Sequence, residues 1–302
     1  MAKANSTKSV LFALGANAAI AVAKFVAAKL TGSSAMFAEA IHSLADTANQ
    51  GLLLYGLKKA KRQPNQKYPL GYGNEIYFWS FIVAIFLFTM GGMFSLYEGW
   101  HKLHNPQPLE APWVAIGVLL FAIFAEGISL WGAVREINKV RRGRSFWQWF
   151  KESRQSELLV VFGEDLAAIT GLLLALGFIV LAMLTGNPIY DAIGTLAIGA
   201  LLIVIAVVVG IEVKSLLIGE SMAPHRRKEL EEYLLNRPEI KKLFHLITLQ
   251  MGDQVMVAVK AQMQDDFKDA KSLIQAVNQV EREMKSAFPE IRWSFFEPDI
   301  SD

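Results

Sequence analysis

Between residues 33 and 57, a stretch long enough to cross a bilayer carries Glu39, His42, Asp46, Asn49 and Gln50. On a helix these positions step by three or four residues and form one polar stripe with apolar flanks. An imidazole and a carboxylate one turn apart are costly to hold in hydrocarbon. Such groups usually face a bundle interior and mark an ion or proton path. Any fold this chain adopts has to give that stripe partners.

The surrounding pattern supports a membrane setting. Six apolar blocks fall at about 9–30, 33–57, 76–99, 112–135, 157–184 and 188–216, each near the roughly 20 residues a spanning helix needs. In lipid the backbone must satisfy itself internally, so these blocks are read as helices. Residues 219–302 have the composition of an ordinary soluble segment, an asymmetry hidden by the overall hydrophobic content of 53%. The expected fold class is therefore an all-α six-helix transmembrane domain over residues 1–218, followed by a small cytoplasmic α+β domain over 219–302. The first block follows a short leader, Met1 to Lys8, and continues to about Lys29 without a convincing small-residue cleavage site. It reads as a retained span.

Charge and cysteine content exclude several classes. Thirty Lys and Arg against 28 Asp and Glu leave a formal charge of +2, too slight to suggest a nucleic-acid partner. There is no cysteine, hence no disulfide and no thiolate metal site. The distribution of basic residues is more informative. Lys58, Lys59, Lys61, Arg62 and Lys67 fill the joint after the second block; Arg135, Lys139, Arg141, Arg142, Arg144, Lys151 and Arg154 fill the joint after the fourth. The alternate joints hold almost none, which puts both termini in the cytoplasm. Trp100, Trp113, Trp147 and Trp149 fall at belt positions, and the basic, aromatic joint from Val140 to Ser156 suits a segment lying on the leaflet.

In the tail, a helical pattern over 224–236 stops at Pro238. Two alternating stretches, 243–251 and 254–263, flank Gly252-Asp253 and predict a hairpin. An amphipathic helix over 270–288 and a last strand over 291–296 complete the order αββαβ, a ferredoxin-like arrangement with helices on one sheet face. About 80 residues is marginal for independent stability, so docking against a second copy, giving a homodimer, is expected.

The fifth block holds Glu164 and Asp165 about 13 Å from its cytoplasmic end, a depth similar to that of His42 and Asp46. Two helices can thus bring one imidazole and two or three carboxylates together. Zinc-like cations take nitrogen and oxygen ligands of this kind, at about 2.0–2.2 Å. Such ligands must be deprotonated to bind, so protons and metal compete for the same groups, which is the physical basis of proton-coupled antiport. The candidate metal residues are His42, Asp46, Glu164 and Asp165, with Glu39, Asn49, Gln50 and Glu126 as supporting or proton-path groups. Adjacent Glu164 and Asp165 point about 100° apart, so one of them can serve as a supporting group. A lone intramembrane histidine can equally be satisfied by a backbone carbonyl, and Glu126, with Ser129 one turn on, can be a structural pairing. Asp191 and Asn187 read as wet caps at the outer end of the sixth block. His225, His245, Asp265, Asp266 and Asp269 in the tail read as a solvated face.

The six blocks resemble the cation diffusion facilitator family, as do His42-Ser43-Leu44-Ala45-Asp46, the run Tyr68-Pro69-Leu70-Gly71-Tyr72-Gly73-Asn74-Glu75 and the αββαβ tail. The resemblance covers essentially the whole chain. It implies a homodimer that moves divalent cations, mostly zinc, out of the cytoplasm in exchange for protons, the metal being substrate rather than cofactor. The family's site joins His/Asp-x-x-x-Asp on the second helix to His-x-x-x-Asp on the fifth. Here the second-helix half matches at His42 and Asp46, whereas Val161 stands where the fifth-helix histidine is expected. Glu164-Asp165 with Gly171, Ser95-Leu96-Tyr97-Glu98-Gly99 and Phe296-Glu297-Pro298-Asp299 look like the branch containing the mitochondrial-type zinc transporters. A site richer in oxygen suits harder ions, so an exporter preferring manganese, iron or cobalt is an alternative.

The chain has no His-Glu-x-x-His run and no Gly-x-Ser-x-Gly elbow, so an enzyme is not expected. A transport-inactive metal-sensing scaffold is the remaining alternative, since the fifth-helix histidine is missing. The expected location is a bacterial inner membrane.

Overall fold

A computed structural model describes residues 6–106, 108, 109, 111–141 and 143–301, with the side chains of residues 6–16 outside that description. Leader residues 1–5 and the basic Arg142 also lie outside it.

The helices are α1 (Ser6–Thr31), α2 (Ser34–Ala60), α3 (Glu75–Phe86), α4 (Phe94–His104), α5 (Pro112–Val140), the short α6 (Phe146–Glu152), α7 (Ser156–Thr185) and α8 (Ile189–Ile218). A π-helical segment, Leu87–Met93, joins α3 to α4 without a break. Gly32, at φ 63°, ends α1 in the left-handed conformation that a side chain resists, and its N–H returns to the Ala28 carbonyl. Pro112 sits in the first turn of α5, where its missing N–H is no loss. Among the described residues, four helical stretches are long and apolar enough to cross a membrane: Glu75–His104, Pro112–Val140, Ser156–Thr185 and Ile189–Ile218. At 27 residues α2 has the length, but its apolar surface is interrupted by the stripe.

The chain divides into two compact units. One takes the chain up to Gly56 with Trp79–Ser145 and Glu157–Val213; the other takes Leu57–Phe78, Phe146–Ser156 and Lys214 onward.

The first unit packs Met36, Leu87, Leu119, Leu172, Ile198 and Leu202 into one core. Helices in lipid gain little from hydrophobicity against one another and rely on close van der Waals approach at small residues. Here a Cβ on Gly199 of α8 would lie 2.8 Å from the Leu96 amide nitrogen and 3.0 Å from the Gly92 carbonyl oxygen. One on Gly99 would lie 2.9 Å from the Leu196 nitrogen. α8 therefore meets the π segment and α4 backbone to backbone.

In the second unit α9 (Pro224–Leu235), β1 (Ile240–Met251), β2 (Gln254–Met263), α10 (Ala270–Ala287) and β3 (Ile291–Pro298) follow the predicted order. The sheet runs β1-β2-β3, antiparallel between β1 and β2 and parallel between β2 and β3. Val255, Val257, Val259, Ala261 and Met263 alternate into a core shared with Leu230, Leu234, Val280 and Met284. Gly252, at φ 64°, supplies the positive φ of the hairpin turn. Asp269 and Ser272 close a capping box at the start of α10.

Two joints between helices pack in this same unit. A Cβ on Gly73 would lie 2.3 Å from the Met251 carbonyl oxygen, so only glycine allows that approach. The Gly252 N–H donates to Tyr77 Oη at 3.0 Å. Arg154 donates to the Ser221 carbonyl at 2.7 Å and pairs with Glu220 at 2.6 Å. Trp149, expected in the interfacial belt, is instead buried at 1% exposure, because α6 turns it inward. Trp147 stays exposed, stacked on Phe150 with the Lys151 ammonium 5.0 Å from its ring.

Candidate functional site

The α2 stripe faces the interior of the first unit. Glu39, His42 and Asn49 are wholly buried, Asp46 nearly so, and Gln50 is half-buried. Interleaved Ala35, Ala38, Ala40 and Ala45 keep the helix favourable despite its polar load and leave that face narrow. The start of α2 is fixed from another helix. Asp191 of α8 accepts from Ser33 Oγ at 2.6 Å, Ser34 N–H at 2.8 Å and Ser34 Oγ at 2.9 Å. The wet cap expected at Asp191 is thus a buried one, and its carboxylate caps α2 as well as opening α8.

His42 Nε2 lies 3.5 Å from Asp46 Oδ2, one turn away. Both imidazole nitrogens, Asp46 Oδ1, Asn49 Oδ1 and Glu39 Oε1 are buried without a hydrogen-bond partner. Among the described residues these are all but one of such atoms, the other being Trp293 Nε1. Each buried group without a partner costs about 1–3 kcal/mol, so their concentration on one stripe marks a place prepared for something other than itself. The π segment packs beside it: a Cβ on Gly91 would reach within 3.6 Å of His42 Nδ1. π-helical segments recur at functional sites, where they re-aim a helix face.

Glu164 and Asp165 on α7 diverge as their spacing requires. Asn49 Nδ2 donates to Glu164 Oε1 at 2.7 Å, which ties α7 to α2. Ser129 Oγ of α5 lies 3.2 and 3.1 Å from the two Asp165 oxygens. Glu126, buried on α5, acts electrostatically on Asp46, Glu164 and Asp165. The groups stand as pairs on three helices, and among the described residues no three of His, Asp or Glu are close enough as they stand to hold an ion. In the tail, Asp265 pairs with Lys241 and Asp269 caps α10.

Lys24 of α1 escaped the sequence reading. It is wholly buried, and its ammonium donates to Ser43 Oγ at 2.6 Å and to Glu39 Oε2 at 3.3 Å. The available signal was a lysine inside the first apolar block, five residues before the Lys29 that marks the block's end. Chemically, the arrangement offers an imidazole and several carboxylate oxygens to a borderline or hard dication, with one fixed ammonium nearby.

The chain matches the family model described as "Cation efflux transmembrane domain" over residues 10–218. It is 36% identical over 247 residues to the mitochondrial proton-coupled zinc antiporter SLC30A9 of Homo sapiens, covering 81% of this chain and 44% of that protein. It is 31% identical over 242 residues to metal tolerance protein C4 of Arabidopsis thaliana, covering 80% of this chain and 53% of that one. The cation-efflux pump FieF of Yersinia enterocolitica is 23% identical over 263 residues, covering 86% of this chain and 81% of that protein. The chain thus spans about half the length of the first two relatives, at 44% and 53%.

Proposed function

Since this chain belongs to the cation efflux family and resembles the mitochondrial-type zinc transporters, we propose that it exports divalent metal cations, zinc foremost, from the cytoplasm in exchange for protons. The observation that carries this reading is the row of buried, partnerless polar atoms at Glu39, His42, Asp46 and Asn49, with Glu164 held against the same helix face by Asn49. A dication supplies what the His42 and Asp46 atoms lack, and protons take its place when it leaves.

In this reading His42 and Asp46 bind the ion from α2, Glu164 and Asp165 complete its shell from α7, and Glu126 relays protons on α5. α1 and α2 join the four apolar stretches to make six spans over residues 1–218. The tail, 219–302, is a ferredoxin-like cytoplasmic domain through which two copies pair. The basic joints support cytoplasmic termini. The location in this reading is a bacterial inner membrane, although the relatives include the mitochondrial SLC30A9 as well as FieF of Yersinia enterocolitica. The work done is transport, with no bond made or broken.

Valine at position 161 leaves the donor set rich in oxygen and favours a second reading, in which manganese is carried better than zinc. Proteoliposomes holding the purified chain and a pH-sensitive dye separate these. An exporter releases protons when zinc is added, and Asp46→Ala abolishes the release. Faster exchange with manganese than with zinc selects the second reading, and no metal-driven proton movement with either ion refutes both.

A further inference from the structure

Lys24 is the feature the transport scheme does not use. Its ammonium acts electrostatically on Glu39, His42, Asp46 and Glu126. It sits wholly inside the first unit, fixed by Ser43 Oγ at 2.6 Å beside His42, and by Glu39 Oε2 at 3.3 Å. Glu39 is confined on its other side. A Cβ on residue 171 of α7 would lie 2.5 Å from its Oε1, so glycine there leaves room for the carboxylate.

We infer that Lys24 is a tethered counter-cation that holds Glu39 out of the metal's ligand shell and sets the charge the transported ion must bring. A buried lysine is costly unless paired, and a purely structural link between α1 and α2 needs no charge at all. Placed beside His42, the ammonium repels an arriving dication and so keeps the site from binding too tightly to release. Glu39, a carboxylate on the same helix face as His42 and Asp46, would be a further ligand if Lys24 did not neutralise it. The role is electrostatic, which makes the consequences of removing each partner opposite in sign.

The inference rests on the exporter reading, and its test keeps the two apart. Zinc chloride is titrated calorimetrically into the full chain in lipid nanodiscs, for the wild type, Lys24→Met, Glu39→Gln and the double variant Lys24→Met/Glu39→Gln. Lys24→Met removes a repelling charge and frees a carboxylate, so zinc binds at least about tenfold tighter, a change of 1.4 kcal/mol. Glu39→Gln leaves the ammonium without its counter-charge, and zinc binds at least about tenfold weaker. The double variant, with both charges gone, returns to within about threefold of the wild type. If Lys24→Met does not fold, the contrast between Glu39→Gln and the double variant still decides. Weaker or unchanged binding in both single variants, with the double no better, makes the pair a structural link and overturns the inference while leaving the exporter intact. No zinc binding by the wild type refutes the exporter and the inference with it.

Discussion

Replacing Asp191 with alanine tests whether the helix bearing the stripe is positioned from α8. The carboxylate accepts three hydrogen bonds, from Ser33 just before α2 at 2.6 Å and from Ser34, its first residue, at 2.8 and 2.9 Å, and is itself 1% exposed. The Ser34 N–H is an N-terminal helix donor, and loss of such a cap costs about 1 kcal/mol. Each hydroxyl bond to a buried carboxylate contributes about 1.5–3 kcal/mol. The sum overstates the loss, because Ser34 Oγ retains Thr195 Oγ1 at 2.9 Å and Ser33 Oγ still accepts from the Met36 N–H at 3.1 Å. Asp191→Ala is therefore expected to destabilise the first unit by about 3–5 kcal/mol. Asp191→Asn keeps one acceptor and turns a donor toward donors, for about 1–3 kcal/mol. The assay is reversible unfolding of the purified chain in mixed micelles, with denaturing detergent as the variable. An alanine variant within about 0.5 kcal/mol of the wild type, or an asparagine variant no better than alanine, would refute the cross-helix cap.

Three further outcomes follow from particular contacts. Asn49→Leu removes the donor that holds Glu164 against α2 at 2.7 Å, and zinc affinity should fall about 10–100-fold, as for other groups that orient a ligand; equal affinity would mean Glu164 needs no orienting. Gly73→Ala drives a methyl into the Met251 carbonyl with no rotamer to escape by, costing about 1–3 kcal/mol or more. Faster hydrogen exchange at the Gly252 amide, which Tyr77 Oη otherwise protects, reports it, and unchanged protection would contradict it. At the start of α10, the Ser272 backbone N–H holds the Asp269 carboxyl below the ordinary carboxylate range. That cap is fully in place above about pH 3.9, the unfolded value, and is lost as pH falls through the lower folded value. Acid unfolding should therefore steepen there, and Asp269→Ala should remove that portion of the slope; an identical acid profile in the variant would contradict it.

Much of the fold was legible because its signals are local. Alternation in 254–263, the Gly252-Asp253 turn and the amphipathic 270–288 each report their own backbone state, and the tail's element order follows. Burial of the α2 stripe was legible because Glu39, His42, Asp46 and Asn49 recur at helical spacing. The divergence of Glu164 and Asp165 was legible from their adjacency. What escaped depends on which helices meet. Lys24 finds Glu39 and Ser43 only once α1 lies against α2, and nothing around position 24 encodes that. Asp191 looked like a solvent-facing cap because its partners are more than 150 residues away, at Ser33 and Ser34. The π segment at Leu87–Met93 had no propensity signal, and its Gly91-Gly92 pair reads as packing until His42 and Ile203 are set beside it. Trp149 followed the belt rule in sequence, but α6 packs it into protein.

The central claim is that the carried ion is held by the side chains of α2 and α7. X-ray absorption at the zinc edge of the loaded, full-length chain addresses it directly. An ion held there shows a single imidazole with carboxylate oxygens at about 2.0–2.2 Å, and loses the imidazole signal in His42→Ala. A spectrum unchanged by His42→Ala would put the ion on other residues and overturn the α2–α7 site.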